Sequence, residues 1–209
     1  MAAYEQGLQA DRNSSALLWR LARIHVIMSE ATESGIDETL LLRAERYARE
    51  AVQLDPRSHE ARTWLAATLG FLAFSAPMGD QLRLAGEILA QTDTALSLNP
   101  ADDIVYSIRG SFYHALGNIG WFKKQLAAVF LGSVPPGGYE ESEAALLRAI
   151  ELAPGVMRHH YELGILYIDL GKKSDARRVF SKAGELPVRV ASDVPRLKKI
   201  SELLQSLRE

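Results

Sequence analysis

Apolar and small side chains recur at helical spacing along the chain, and the clearest stretch lies near its C-terminal end. Leu163 and Tyr167 have the spacing of residues that fill the core between two helices, whereas Gly164 is small where two helices would cross. Gly171 supplies the turn between the helices. The whole pattern of this helical hairpin is His160, Leu163, Gly164, Tyr167, Gly171, Ala176, Phe180 and Ala183.

A short phrase that starts with alanine and ends with proline occurs three times, with a looser fourth copy. The copies are Ala51–Pro56, Ala95–Pro100, Ala149–Pro154 and Ala183–Pro187. A small residue lets two helices approach closely and proline stops a helix, as at the end of the second helix of a tetratricopeptide repeat. We therefore predict an all-α tetratricopeptide-repeat solenoid. It would be a right-handed superhelix of elongated helical hairpins, with an inserted helix and a C-terminal capping helix.

This register divides the chain, taken as one domain over residues 1–209, into a half-repeat, four repeats and a cap. Their boundaries are 1–12, 14–56, 57–100, 101–154, 155–187 and 193–207. The extra residues are expected inside the hairpins, at Glu30–Asp37, Phe74–Asp80 and Asn118–Tyr139. Because the first segment resembles only the second half of a repeat, we expect a longer natural protein with any anchor or targeting segment upstream.

The predicted cap carries one apolar stripe. Its members are Val194, Leu197, Ile200, Leu203, Leu204 and Leu207.

Two adjacent histidines lie upstream of the cap, and the register places His160 in the core and His159 on the surface. Adjacent side chains on a helix diverge by about 100°, so we do not expect these two histidines to share a metal.

The longest insertion contains an amphipathic stretch at residues 120–131. Its apolar members are Trp121, Phe122, Leu126, Val129 and Phe130. A turn-rich run over 133–139 must then break the helix. Two interpretations are open: the helix packs across the solenoid, or it lies on a membrane surface with Lys123 and Lys124 near anionic head groups.

Composition excludes several classes of function. The 209 residues include no cysteine, so disulfides, thiol nucleophiles and thiolate zinc sites are absent. No apolar run approaches the roughly 18 residues of a membrane-spanning helix, and a net charge of −2 argues against general nucleic-acid binding. Gly171-Lys172-Lys173-Ser174 lacks the glycine spacing of a phosphate loop. With no nucleophile–base constellation, we predict a protein that is not an enzyme and has no cofactor and no metal.

The charge is unevenly distributed along the chain. Residues 157–209 carry 11 Lys and Arg against 7 Asp and Glu, and the remainder carries 13 against 19. Two interpretations are open: solvated helix faces that happen to differ, or a basic end that meets an acidic partner.

Three phrases resemble the regulator of microtubule dynamics family. They are Leu18–Arg23 (LWRLAR), Trp121–Ala127 (WFKKQLA), and Pro135-Pro136 with Tyr139-Glu140-Glu141. They occur in the family's order, and the resemblance covers essentially the whole chain. It implies an all-helical repeat domain without catalytic activity, in a family associated with microtubules and spindles. Some members tether endoplasmic reticulum to mitochondria and bind phospholipid.

The chain also departs from that family. Members often carry a membrane segment before the repeats, and this chain has none. The absence of cysteine and the high alanine content would suit a bacterial relative, to which microtubules would not apply.

In such repeats the first helix of each pair lines the inner surface. The inner positions from which we predict a binding site are occupied by Trp19, Arg23, Val26, Phe71, Ser107, Ser111, His114, Arg158, Tyr161 and Ile165. Large residues at the ends and small ones between them predict a part-apolar cavity with cationic edges at Arg23 and Arg158. We expect Trp19, Ser107 and Tyr161 to face a common hollow.

Three occupants suit such a cavity: a peptide or helix of a partner protein, a phospholipid with its phosphate near an arginine, or the chain's own inserted or capping helix. We predict a non-catalytic scaffold that binds a protein segment in its concave groove. The alternative is a phospholipid-binding or transfer module at membrane contact sites. The expected partner is therefore protein or phospholipid and not nucleic acid, and the expected location is cytoplasmic or cytoplasm-facing.

Overall fold

The computed structural model describes residues 2–32, 35–118 and 137–208, and every regular element in these ranges is an α-helix. The all-α prediction is therefore confirmed there, while the predicted inserted helix at 120–131 lies outside the described residues. The helices are α1 (Ala2–Ala10), α2 (Ser15–Glu30), α3 (Glu38–Leu54), α4 (His59–Ser75), α5 (Met78–Leu98), α6 (Asp103–Asn118), α7 (Tyr139–Leu152), α8 (Met157–Asp169), α9 (Lys173–Gly184) and α10 (Asp193–Ser206).

Short polar side chains fix where several of these helices begin. The Asp37 carboxylate accepts a hydrogen bond from the Leu40 amide at 3.2 Å, and the Ser58 hydroxyl accepts one from Ala61 at 3.1 Å. Asp102 does the same for the amide of Ile104 at the start of α6. Each bond satisfies an amide that has no partner within the first helical turn. The helix starts are thus encoded locally in the sequence.

The chain forms two compact units. Unit 1, Met1–Ala101, contains α1 to α5, and unit 2, Asp102–Glu209, contains α6 to α10. In unit 1, α2 packs against α3 and α4 against α5, and α4 also contacts α2 and α3. In unit 2, α6 pairs with α7 and α8 with α9, and α10 packs on both α8 and α9. Grouping these pairs into a half-repeat and four repeats of one domain stays a prediction.

Small residues stand where the paired helices cross. A Cβ atom on Gly164 would lie 2.5 Å from the Phe180 ring of α9, and one on Gly110 would overlap the Leu146 side chain of α7. Ala66 holds the same register position in α4 and is fully buried. The crossing predicted at Gly164 is therefore confirmed, and Ala66 is buried, as its predicted position requires.

Gly171 makes the turn between α8 and α9. Its φ of +69° is a conformation that side chains with a Cβ rarely adopt. The amide of Lys172 donates to the Tyr167 carbonyl at 2.9 Å, and the Gly171 amide donates to that of Ile168 at 2.9 Å. These bonds satisfy carbonyls at the end of α8, which is the role of a C-terminal glycine turn.

The core of unit 2 is contributed by α7, α8, α9 and α10. Phe180, Leu166 and Ile200 are almost completely buried in it. His160 is buried, as its predicted core position requires, with 6% of its surface exposed. The Nε2–H group of His160 donates to the Pro154 carbonyl at 2.8 Å.

Burial of His160 has a consequence for stability as a function of pH. Loss of hydration lowers the pKa of His160, so the unfolded chain binds this proton at higher pH than the folded chain. Neutral His160 therefore makes its full contribution to the free energy of unfolding of unit 2 above the unfolded-state pKa of about 6.5. This contribution is lost as the pH falls below that value. We expect the urea concentration at the unfolding midpoint to decrease when the pH is lowered from about 7.5 to about 5.5. The decrease should be smaller in His160→Gln. An equal decrease in both proteins would contradict this assignment.

One predicted insertion is wrong. Helix α4 continues to Ser75 and α5 already begins at Met78, so the extra residues expected between the two helices at Phe74–Asp80 are not there. The additional residues instead extend α5 to 21 residues. Pro77 immediately precedes α5, a place where its missing amide proton costs no helical hydrogen bond.

One member of the predicted apolar stripe of the cap is exposed. Val194 is 60% exposed, whereas Arg196 is only 7% exposed and pairs with Asp193 at 2.7 Å. The other members are placed as predicted: Ile200 and Leu207 are buried, and Leu197, Leu203 and Leu204 pack against the core of unit 2. The prediction of Val194 as a core residue is therefore wrong, because a buried ion pair occupies the first turn of α10.

Candidate functional site

The predicted site residues belong to the first helices of the pairs. Within unit 1 these are α2 and α4, and within unit 2 they are α6 and α8. A side chain at the ninth position of one first helix meets the sixth position of the next: Arg23 meets Trp64, and Ser111 meets Glu162. The two units use the same register for different chemistry.

In unit 1, two arginines lie over two indole rings. The Arg20 guanidinium lies 4.2 Å from the centroid of the Trp19 ring, and the Arg23 guanidinium lies 5.6 Å from that of Trp64. Both contacts are within the range of cation–π attraction, each worth about 0.5–1 kcal/mol at an exposed site. Arg23 is exposed and both indoles are half-buried. This face therefore presents oriented positive charge on an aromatic base.

Further along α4 the same stripe becomes apolar and open. Phe71 is half-buried and Phe74 is 70% exposed, at seven and ten residues from Trp64. A Cβ atom on Gly70 would meet nothing within 4 Å. Phe71 was predicted as a site residue from the sequence, whereas Trp64 and Phe74 were not. Their spacing on one helical face was the available signal.

Val26 has a different role from the predicted one. Its side chain is 1% exposed and lies with Leu21 and Ala22 among the buried residues of α2. A side chain that solvent does not reach cannot line a binding surface. Val26 therefore stabilises the helix pair instead of contacting a partner.

In unit 2, the corresponding face of α6 is occupied by internal hydrogen bonds. Ser107 is 1% exposed and is thus not available to a partner. The Ser111 hydroxyl donates to a Glu162 carboxylate oxygen at 3.2 Å. His114 donates from Nε2 to Asp169 at 2.8 Å, and the Asn118 amide donates to the same oxygen at 3.2 Å. Acidic side chains of α8 thus accept hydrogen bonds from Ser111, His114 and Asn118 of α6.

The remaining predicted residues lie on α8. The Arg158 guanidinium is 4.0 Å from a Glu162 oxygen. Tyr161 packs near Phe180 and under the Arg196 guanidinium, and burial raises the pKa of its hydroxyl. Ile165 packs against the core of unit 2. The basic edge predicted at Arg158 therefore has a carboxylate of its own nearby.

The prediction of His159 on the surface is wrong. His159 is 1% exposed, and its Nε2–H donates to Asp103 of α6 at 2.8 Å. Among the described residues, only His159 Nδ1 and Ser107 Oγ are buried without a hydrogen-bond partner. The bond between His159 and Asp103 joins the beginnings of α6 and α8. Periodicity could not reveal it, because the two residues are 56 positions apart.

Two other kinds of functional feature, metal sites and membrane-spanning helices, were sought in the described ranges. No three His, Asp or Glu side chains there come together as metal ligands would. Within the same ranges, no helix combines the length and the apolar character that crossing a bilayer needs.

Paired helices with small residues where they cross are characteristic of tetratricopeptide-repeat proteins, and solved structures of such proteins have the same fold. A thermophilic tetratricopeptide-repeat protein of Thermus thermophilus superposes with a TM-score of 0.70 at 18% identity, covering 98% of this chain and 86% of that one. A crystal structure of MamA gives 0.52 at 20% identity, covering 94% and 88%. At these identities the similarity establishes the fold.

The chain belongs to the regulator of microtubule dynamics family, since the family model "Regulator of microtubule dynamics protein 1-3" matches residues 1–208. Protein 1 of Caenorhabditis elegans is 24% identical over 189 residues, which are 90% of this chain and 84% of that protein. Protein 3 of Mus musculus is 28% identical over 189 residues, which are 89% and 40%. The chain spans less than half of mouse proteins 2 and 3. The family predicted from three sequence phrases is confirmed.

Proposed function

We propose that this chain is a non-catalytic protein-interaction module that binds an acidic segment of a partner protein on the face formed by α2 and α4. The observation that carries the proposal is the pair of arginine–indole contacts, Arg20 on Trp19 and Arg23 on Trp64. Tryptophan and arginine are the residues most enriched where interfaces concentrate their binding energy. Phe71 and Phe74 would extend the contact along α4 with apolar area.

The physical basis is orientation of charge. An arginine held over a ring has lost part of its conformational freedom before a partner arrives, so less is lost on binding. Its planar fork then donates two parallel hydrogen bonds to a carboxylate. Arg23 is exposed and meets these conditions. An acidic residue of the partner would therefore lie near Arg23, with an apolar residue toward Phe71.

The equivalent face of unit 2, formed by α6 and α8, is less suited to binding an acidic segment. Glu162 and Asp169 already satisfy Ser111 and His114, and Glu162 is close to Arg158. An acidic ligand at Arg158 would be repelled by Glu162. That the residues of both units share one groove stays a prediction, and our proposal rests on unit 1.

The partner that we propose is tubulin in its polymerised form. The relatives are named as regulators of microtubule dynamics, and this chain aligns with most of the C. elegans protein. A role on microtubules also implies a cytoplasm-facing location. Acidic surface on the partner is the chemistry that the arginine–indole face would recognise.

Co-sedimentation with polymerised tubulin tests the proposal. We expect Arg23→Glu to weaken binding about tenfold or more, because it replaces attraction by repulsion at the centre of the face. Arg43→Glu is the matched control: it makes the same charge change at an exposed position of α3 and should change binding little. Equal binding by wild type and Arg23→Glu would contradict the proposal.

A phospholipid function predicts a different outcome. Protein purified from cells would then carry extractable phospholipid, detectable by native mass spectrometry, and would bind vesicles of phosphatidic acid and phosphatidylcholine. If vesicle binding is found while tubulin binding is absent, the lipid function replaces the proposed one.

A further inference from the structure

Unit 2 has a second surface feature, separate from the α6–α8 face. A groove of about 310 Å³ lies where α7, α8 and α9 meet. Leu163 and Tyr167 of α8 form its floor and are buried, whereas Leu147 of α7 is 48% exposed at its edge. Val179 of α9 forms the opposite wall. The groove is thus lined mainly by apolar side chains, together with His160, and is open to solvent.

The α9 edge of this groove is basic. Arg178 and Lys182 line it, one turn apart, and both side chains are more than half exposed. Their acidic neighbours, Asp175 and Glu185, lie on or just after the same helix at 3.1 and 3.5 Å. Exposed pairs of this kind contribute little, so another carboxylate can replace these acids.

An equivalent groove occurs in unit 1. When Ala51 is aligned with Ala183, Arg46 and Tyr47 take the places of Arg178 and Val179. A groove of about 560 Å³ in unit 1 is lined by these two residues together with Leu8, Gln9, Arg12 and Glu50. The same register thus places an arginine beside a groove in both units, whereas Glu50 takes the place of Lys182, so the second cation is particular to unit 2. A shared arrangement at equivalent positions is better explained by the repeat architecture than by local accident.

We propose that the α7–α8–α9 groove binds a short acidic segment of a partner protein, with one bulky apolar side chain between Leu147 and Val179. A carboxylate of the segment would lie against Arg178 and Lys182. The volume is near the lower end of ligand pockets, about 300–1,000 Å³, and suits one or two side chains.

Charge complementarity selects an acidic occupant. The groove edge is basic, and residues 157–209 as a whole carry 11 Lys and Arg against 7 Asp and Glu. A basic segment would be repelled from Arg178 and Lys182, and a purely apolar one would leave both cations without a new partner. This site is distinct from the α2–α4 face and does not depend on tubulin binding.

The probe is a phage-displayed library of random linear peptides panned against the whole chain, with recovered peptides remeasured by fluorescence anisotropy. We expect sequences that combine a bulky apolar residue with Asp or Glu. Leu147→Asp should weaken them about tenfold or more, because it places a charge at the apolar edge. Arg178→Glu with Lys182→Glu should weaken them to a similar extent, and exchange of the peptide's acid for lysine should restore binding to that double variant.

Two control variants keep the result specific. Leu42→Asp makes the same change at a residue of α3 that is 54% exposed, and Trp64→Ala alters the α2–α4 face. Neither should reduce binding. The proposal is overturned if no such peptides are recovered, if Leu147→Asp leaves binding unchanged, or if basic peptides bind instead. It is also overturned if the wild type is a dimer that Leu147→Asp dissociates, because a second copy would then occupy the groove.

Discussion

Replacement of Gly164 by leucine should lower the free energy of unfolding by about 3 kcal/mol, toward the upper end of what overpacking usually costs. The first added atom would already lie 2.5 Å from the ring of Phe180. That ring is completely buried, so it cannot move aside without disturbing the core of unit 2. The helices α8 and α9 would have to separate. Urea unfolding followed by far-ultraviolet circular dichroism measures the loss.

Gly86 provides the matched control. It lies in the middle of α5, is not buried, and a Cβ atom there would meet nothing within 4 Å. Gly86→Leu should therefore be neutral or stabilise the protein by up to about 1 kcal/mol, because glycine is a poor helix former. If Gly164→Leu unfolds at the same urea concentration as wild type, the crossing of α8 and α9 at Gly164 is wrong.

Replacement of Asp193 by alanine should be as damaging, with an expected loss of about 3–5 kcal/mol. One carboxylate oxygen accepts from the Arg196 guanidinium at 2.7 Å, and the other accepts from the amides of Arg189 and Val190 at 3.0 and 3.2 Å. Asp193 and Arg196 are 5% and 7% exposed. Alanine would leave a buried guanidinium without its carboxylate and two amides without an acceptor. We expect α10 to detach before the rest of unit 2 unfolds.

Asp175 is the control for this variant. It forms a pair with Arg178 at the same spacing of three residues, but both side chains are largely exposed. Asp175→Ala should cost less than about 1 kcal/mol. Adding Arg196→Met to Asp193→Ala should recover part of the loss, since the buried positive charge is removed. Equal stabilities of Asp193→Ala and Asp175→Ala would show that burial of the ion pair is unimportant.

The parts of the fold that the sequence predicted correctly are those with local causes. Gly171 ends α8 because its own backbone conformation requires glycine, and Gly164 marks a crossing because of its position in one hairpin pattern. Val194 was assigned wrongly because apolar spacing alone carries no information about a neighbouring ion pair. The length of α5 was missed because a proline can begin a helix as well as end one.

The candidate binding site could be predicted from the sequence to a smaller extent than the fold. The register selected Trp19 and Arg23 on α2, but the ring beneath Arg23 belongs to Trp64, 41 residues later. In unit 2, the partners of Ser111 and His114 are 51 and 55 residues away. Such contacts depend on how the helix pairs stack. The residue types at positions 111 and 114 therefore did not show that these two side chains already form hydrogen bonds with α8.

Amide hydrogen exchange of the chain with and without polymerised tubulin tests the α2–α4 face most directly. Our account predicts slower exchange within residues 19–27 of α2 and 63–74 of α4 in the presence of tubulin, with that protection lost in Arg23→Glu. Protection confined to other helices, or protection of α2 and α4 that persists in Arg23→Glu, would contradict it.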